Sequence, residues 1–198
     1  MRQECYFCAT KTVESLIKKF NPEPEVAEGF IFEFNQLLVD YRYKSNPDLA
    51  TAIHRLARTK LNNNNLYLLE KQSANNQLIE LYSEWQKIIN KSNTPLFTAA
   101  KLAVIGNIID YGAHMLEDDM INQIHSLLKK NLAIDSSQKL FEEIKKAKSI
   151  LHLADNNGEI VFDKLFIETI NHPDITVAVR GKAVINDVTI SDVEYWPT

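Results

Sequence analysis

Apolar residues recur at helical spacing through the first two thirds of the chain. Val13, Leu16, Ile17 and Phe20 fall at i, i+3, i+4 and i+7, one stripe of a helix. Asn21-Pro22 ends it, because proline disfavours helical geometry at the residue before it. Val26, Phe30, Phe34, Leu37, Leu38 and Tyr41 form a second stripe, with Pro24 in its first turn. Asn46-Pro47 reads as a cap and first-turn proline opening a third helix, with Leu49, Ile53, Leu56 and Lys60 on one side. Asn62 to Asn65 predict a loop, since asparagine tolerates left-handed geometry. Leu78, Leu81, Tyr82, Trp85, Ile88 and Ile89 make another helical face. Thr94-Pro95 starts a helix over residues 96–114 that is apolar nearly all round, and so should be buried.

The pattern changes near Ser149. Residues 150–154 form a short β-like run that stops at Asp155; Asn156-Asn157-Gly158 reads as a turn, Glu159 to Ile170 as a helix, and 175–180 as a second strand rich in β-branched residues. Strand, helix and strand within about thirty residues predict parallel pairing with a right-handed crossover. The expected division is a helical domain over 1–148 and an α/β domain beginning at 149–198.

Composition narrows the class. The chain has 198 residues, 45% of them hydrophobic, enough for a real core. A formal charge of −4 argues against a nucleic-acid binder, which would carry a basic patch. No apolar run approaches the ~20 residues of a membrane span, and MRQECYFCATK lacks a signal-peptide core, so a cytoplasmic protein is expected with no membrane partner. Cys5 and Cys8, the only cysteines, can pack, act in redox chemistry or help hold a metal; alone they do not close a four-ligand site. The histidines show no ligand spacing and read as packing or surface residues.

Chemistry concentrates at the strand ends. Asp155 and Asn156 stand at the carboxyl end of the first strand, where open parallel sheets bind ligands. Their oxygens suit magnesium, manganese and similar ions, and the helix beginning after the turn offers amides to an anion. The same residues can equally cap that helix. Asp187, in Asn186-Asp187-Val188-Thr189, can approach Asp155 across adjacent strand ends, or sit in a solvated turn. Two carboxylates there repel unless a cation lies between them. Gly106, Asn107 and Asp110 interrupt the most apolar helix; they face a substrate or only a neighbouring domain. Arg180 can meet a phosphate as a planar fork, or lie on the surface.

These segments, CYFC, AAKLAVIGNIIDYG, LADNNGEIVFDKLFIE, VAVRG and VINDVT, come in the order and spacing of one family. The chain resembles the damage-control phosphatases, formerly domain-of-unknown-function family eighty-nine and related to acidic-residue carboxyl methyltransferase-like proteins. It is most similar to the small prokaryotic subgroup with the N-terminal cysteine pair. The resemblance spans almost the whole chain. It implies an α+β to α/β fold, a helical N-terminal domain packed on a partial Rossmann-like α/β/α domain with parallel strands. It implies metal-dependent hydrolysis of small phosphorylated metabolites or sugar phosphates, with a divalent ion (Mn, Co, Ni or Mg) held by Asp155, Asn156 and Asp187. Asp155 or Glu159 would orient the water. The GNxID segment, here Gly106, Asn107 and Asp110, would line the substrate site, and Gly158 and Arg180, from the residue reading, are expected to join it. The family continues beyond the NDxT segment and this chain ends at VEYWPT, so a C-terminally shortened form is expected, weak in activity or completing its sheet through another copy. Two rivals are a methyltransferase using S-adenosylmethionine, although only Gly158 follows the first strand, and a non-catalytic metabolite-binding or assembly module.

Overall fold

The computed structural model describes residues 2–108 and 117–193, and the chain divides into two compact units, Met1–Leu66 and Tyr67–Thr198. The change of pattern at Ser149 thus falls inside the second unit, whose α/β part shares a core with helices from Tyr67 onward.

The first unit is three helices, α1 (Gln3–Phe20), α2 (Pro24–Asp40) and α3 (Asn46–Lys60), each packed on the other two. The apolar stripes turn inward: Val13 and Leu16, Phe30 and Phe34, Leu49 and Ile53 are all buried. Pro24 is the first residue of α2, where its missing N–H costs nothing. The cap of α3 is Ser45 rather than Asn46. Ser45 Oγ accepts from the Asp48 amide at 3.3 Å while Asp48 Oδ2 accepts from the Ser45 amide at 3.2 Å, a reciprocal box that places Pro47 in the first turn. After α3, Asn62 adopts φ 47° and the Asn63 side chain accepts from the Asn65 amide, as an asparagine loop should.

The second unit contains α4 (Leu68–Glu80), α5 (Tyr82–Lys91), α6 (Pro95–Ile108), α7 (Glu117–Lys129), α8 (Ser137–Lys146), β1 (Ile150–Leu153), α9 (Glu159–Ile170), β2 (Ile175–Ala178) and the short α10 (Ile190–Val193). The single helical face read over residues 78–89 is broken at Leu81 into α4 and α5, yet Leu78, Trp85 and Ile89 remain in one core. β1 and β2 pair in parallel with Ile150 opposite Ile175 and Leu153 opposite Ala178. The architecture is helix-rich α+β with a small parallel sheet, of Rossmann-like character.

Why α6 sits at the centre follows from its composition. It is apolar on every side, and it packs along α9 and against α5 and α7. Leu102 and Ile105 of α6 join Ile160, Phe162 and Leu165 of α9 in the core. α9 covers one face of the sheet; the other leaves Leu151 at 62% and Leu153 at 72% exposure. Among the described residues, no helix is long and apolar enough to cross a membrane.

Candidate functional site

Val188 ties the two strand ends together. Its amide donates to the Asp155 carbonyl at 2.8 Å, and its carbonyl accepts from the Arg180 amide at 2.9 Å. Asn156 and Asp187 form an antiparallel bridge beside it, and the Asn157 amide donates to the Asn186 carbonyl at 2.9 Å. The loop after β1 and the loop after β2 are thereby laced at the carboxyl end of the sheet, where parallel sheets bind ligands. Asp155, Asn156 and Asp187, 32 residues apart at their widest by their numbers, belong to this one structure.

The side chains are sorted by charge. Asp187 Oδ2 accepts from the amides of Val184 at 2.7 Å and Ile185 at 3.0 Å, which fixes the carboxylate and leaves Oδ1 for the site. Arg180 lies between the two acids, its Nε 3.4 Å from Asp187 Oδ1 and its Nη2 3.8 Å from Asp155 Oδ1. The Asn156 amide group donates to Asp155 Oδ2 at 3.3 Å, so its own oxygen is free to coordinate. A guanidinium placed between two carboxylates marks where positive charge belongs. Two carboxylates and an amide oxygen are the donors a hard divalent ion takes, so the residues fit such an ion. Among the described residues, no group of three or more His, Cys, Asp or Glu side chains is gathered for a metal.

A second pair stands beside them. Asn107 Nδ2 donates to Glu159 Oε2 at 2.8 Å. Burial pushes the Glu159 carboxyl above its ordinary range; the Asn107 bond opposes this, Asp163 and Asp155 push it further up, and the Asn156 amide pulls it down. Gly106 explains how α6 comes so near. A Cβ there would lie 3.0 Å from Glu159 Cα and 3.0 Å from Phe162 Cδ2, so glycine lets α6 close on the first turn of α9. Asp110 lies outside the described residues.

Gly158 shapes the turn into α9. It takes φ 86°, which an L side chain rarely adopts, and turns the chain into α9. Its amide is already used, donating to Asn75 Oδ1 at 2.6 Å, and the amide of Asn157 is used by Asn186. The amides of Asn157 and Gly158 are therefore held by the protein itself.

Sequence reasoning missed Asn75, Lys71 and Asp163. Asn75 Nδ2 donates to Asn157 Oδ1 at 2.7 Å, and Lys71 pairs with Asp192 at 2.9 Å in nearly complete burial. The available signal was spacing: Lys71, Asn75 and Leu78 fall at i, i+4 and i+7, so two polar residues occupy an apolar face. His152 of β1 lies 3.1 Å from the buried Asp163 of α9, a contact that raises the pKa of the imidazole against the effect of burial. Cys5 and Cys8 are free thiols in the first turns of α1, Cys5 half-buried and Cys8 exposed.

With this geometry in view, the comparisons agree on one family. The model of the damage-control phosphatase ARMT1-like domain matches residues 1–196. A damage-control phosphatase of Pyrococcus horikoshii is 27% identical over 198 residues, covering 98% of this chain and 68% of its own length. Another, of Archaeoglobus fulgidus, is 28% identical, covering 95% of this chain and 67% of its own length. The crystal structure of a DUF89 family protein from Pyrococcus horikoshii superposes with a TM-score of 0.80 at 27% identity, covering 98% of this chain and 69% of that one. The chain spans about two thirds of the length of these relatives. The chain belongs to the damage-control phosphatase ARMT1-like family.

Proposed function

We propose that this protein is a metal-dependent phosphatase acting on small phosphorylated metabolites or sugar phosphates. The observation that carries the reading is the lacing of Asp155, Asn156 and Asp187 at one end of the sheet, with Arg180 between the two acids. Family membership and the printed names of two relatives support the phosphatase class. A divalent ion (Mn, Co, Ni or Mg) held by those three residues would neutralise phosphate oxygens and acidify a water.

The chain's own residues do the rest. Arg180 exchanges its two carboxylate partners for phosphate oxygens, which match its planar fork. Glu159, with its raised pKa and its orientation fixed by Asn107, holds or moves the proton of the attacking water or of the leaving oxygen. Asp155 keeps the alternative role of orienting that water. The backbone bonds to Asp187 Oδ2 keep its free oxygen aimed at the site.

The test is phosphate release from a panel of phosphorylated metabolites, with and without each of the four ions. Release should need a divalent ion, and Asp155→Ala and Asp187→Ala should abolish it while circular dichroism stays unchanged. Release that persists in chelator, or in Asp187→Ala, would overturn the reading.

A second reading, assembly through the sheet, is favoured by one observation. Leu151 and Leu153 project from the face that the described residues leave open, whereas parallel sheets are normally covered on both faces. A second copy bringing its own sheet face there would bury them. Sedimentation of the chain and of Leu153→Lys tests it: a concentration-dependent dimer lost in the variant is expected, and a monomer at all concentrations sinks it.

A further inference from the structure

Neither loop of the site is a helix or a strand. Asn156 to Gly158 make a turn with one left-handed residue, and residues 184–189 contain no regular element. The first is gripped directly by α4, which precedes it by about 80 residues (Asn75 to Asn157 is a separation of 82), and the second is reached from α4 through Asn157 and Asp192. Asn75 is buried, with 9% of its surface exposed, and uses both ends of its amide: Oδ1 accepts from Gly158 N–H and Nδ2 donates to Asn157 Oδ1. Asn157, 1% exposed, passes the contact on. Its Nδ2 donates to the carbonyls of Asn186 and Asp187, each at 3.1 Å. One turn earlier on the same face, Lys71 pairs with Asp192, and Asp192 caps α10 by accepting from the Thr189 amide at 2.8 Å and its hydroxyl at 2.6 Å.

A polar amide in this position has no packing advantage. Leucine, though larger, is a better helix former and needs no partners. What asparagine alone provides is one acceptor and one donor aimed at the two loops. We infer that Asn75 is a positioning residue of the metal site. Through Gly158 it fixes the loop that carries Asp155 and Asn156, and through Asn157 it fixes Asp187. The ligands are thereby set before any ion arrives. The inference rests on the metal reading of Asp155, Asn156 and Asp187. Groups that orient ligands in this way change metal affinity by roughly 10–100-fold when removed.

The experiment titrates Mn2+ into the chelator-treated chain, following free Mn2+ by electron paramagnetic resonance, and measures amide exchange at Gly158 and Val188 in the same metal-free samples. Wild type, Asp155→Ala, Asn75→Leu and Asn75→Ala are compared. Asn75→Leu should lower the unfolding temperature, because the Gly158 N–H and Asn157 Oδ1 lose their buried partner, while weakening Mn2+ binding roughly 10–100-fold, and the Gly158 amide should lose protection. A residue that only filled the core would leave Mn2+ affinity unmoved in Asn75→Leu; affinity within about threefold of wild type, with Gly158 still protected, overturns the inference. Should wild type and Asp155→Ala bind Mn2+ equally, the metal reading fails and the exchange data decide alone. Lost protection at Gly158 and Val188 then upholds the grip of Asn75 on the loops, and unchanged protection refutes it. Asn75→Ala gives the same readouts if Asn75→Leu does not fold.

Discussion

The two compact units bury different kinds of residue. In Met1–Leu66 the described interior is apolar apart from His54, whose Nδ1 lies 2.7 Å from the Ala50 carbonyl of its own helix. In Tyr67–Thr198 the interior takes in Lys71, Asn75, Lys101, Asn157 and Asp163. Each of these costs free energy unless it finds a partner, and each has one from another element: Lys101, for example, donates to the carbonyls of Leu128 and Lys130 at the end of α7. The first unit has long-range polar bonds too, from Lys19 to the Leu66 carbonyl and between Lys60 and Glu33, but they lie at its partly exposed margin, whereas the second unit carries such bonds in its interior. Specific buried bonds fix positions, and the chemistry proposed for the second unit needs fixed positions.

The largest effect expected from breaking this contrast is at Lys71. Lys71→Met leaves Asp192 buried without its cation and should cost about 3–5 kcal/mol in urea unfolding followed by tryptophan fluorescence. The pH dependence has a definite sign. Burial raises the Asp192 pKa, but bonds from Thr189 and Lys71 outweigh it, so the folded value lies below the ordinary one. Its stabilisation is present above the ordinary aspartate range and is lost as pH falls through the folded value, so the difference between variant and wild type should shrink in strong acid. A loss that is the same at all pH values would contradict the ion pair.

Two glycines sharpen the comparison. Gly106→Ala drives a methyl against Glu159 and Phe162 and should destabilise by about 1–3 kcal/mol, less the gain in helix propensity. Gly29, inside α2, has only Lys60 Nζ near its missing Cβ, at 3.7 Å, so Gly29→Ala should stabilise by about 0.5–1 kcal/mol. Equal effects in thermal unfolding would remove the distinction between close approach and mere tolerance. Ser45→Ala removes the capping box of α3 and should cost about 1 kcal/mol, read by amide exchange in the first turn of that helix.

The smallest effect concerns Glu159. Its raised pKa means that the folded state holds the proton more tightly, so its contribution is favourable at low pH and is lost as pH rises through the folded value. In chelator, Glu159→Gln should unfold at a higher temperature than wild type at neutral pH, and the gap should close in acid. A variant less stable than wild type at pH 7 would show that the carboxylate is stabilised there.

Much of the fold was legible because periodicity is a local signal. The stripes of α1, α2 and α3, the strand–helix–strand of β1, α9 and β2, and the close packing at Gly106 follow from residue spacing and from the cost of a glycine in an apolar helix. The meeting of Asp155 with Asp187 was legible from strand ends. The repulsion expected between them is met by Arg180, a partner that strand geometry did not reveal. Ser45 was passed over for Asn46 because both are capping types, and only the reciprocal bond with Asp48 separates them. The break at Leu81 left no mark in the pattern, since the apolar face continues through it. The roles of Asn75 and Asp163 were hidden for a different reason: their partners are distant in sequence, and polar letters in a helix read as solvent-facing until the fold supplies a neighbour.

The grip of α4 has a consequence for dissection. A fragment cut at Ser149, where the sequence changes character, would carry all three proposed ligands, both strands and α9. It would lack Lys71 and Asn75, and α6 as well, whose Gly106 closes on α9. Gly158 would present a bare amide, Asn157 an unanswered carbonyl, and Asp192 a carboxylate with no lysine. Transplanting the ligand motifs into another scaffold would meet the same difficulty, because the recognisable letters sit in the last quarter of the chain and the instructions for holding them sit in the middle. The smallest portable unit is therefore set by the hydrogen bonds that reach back to Lys71, and it begins with α4.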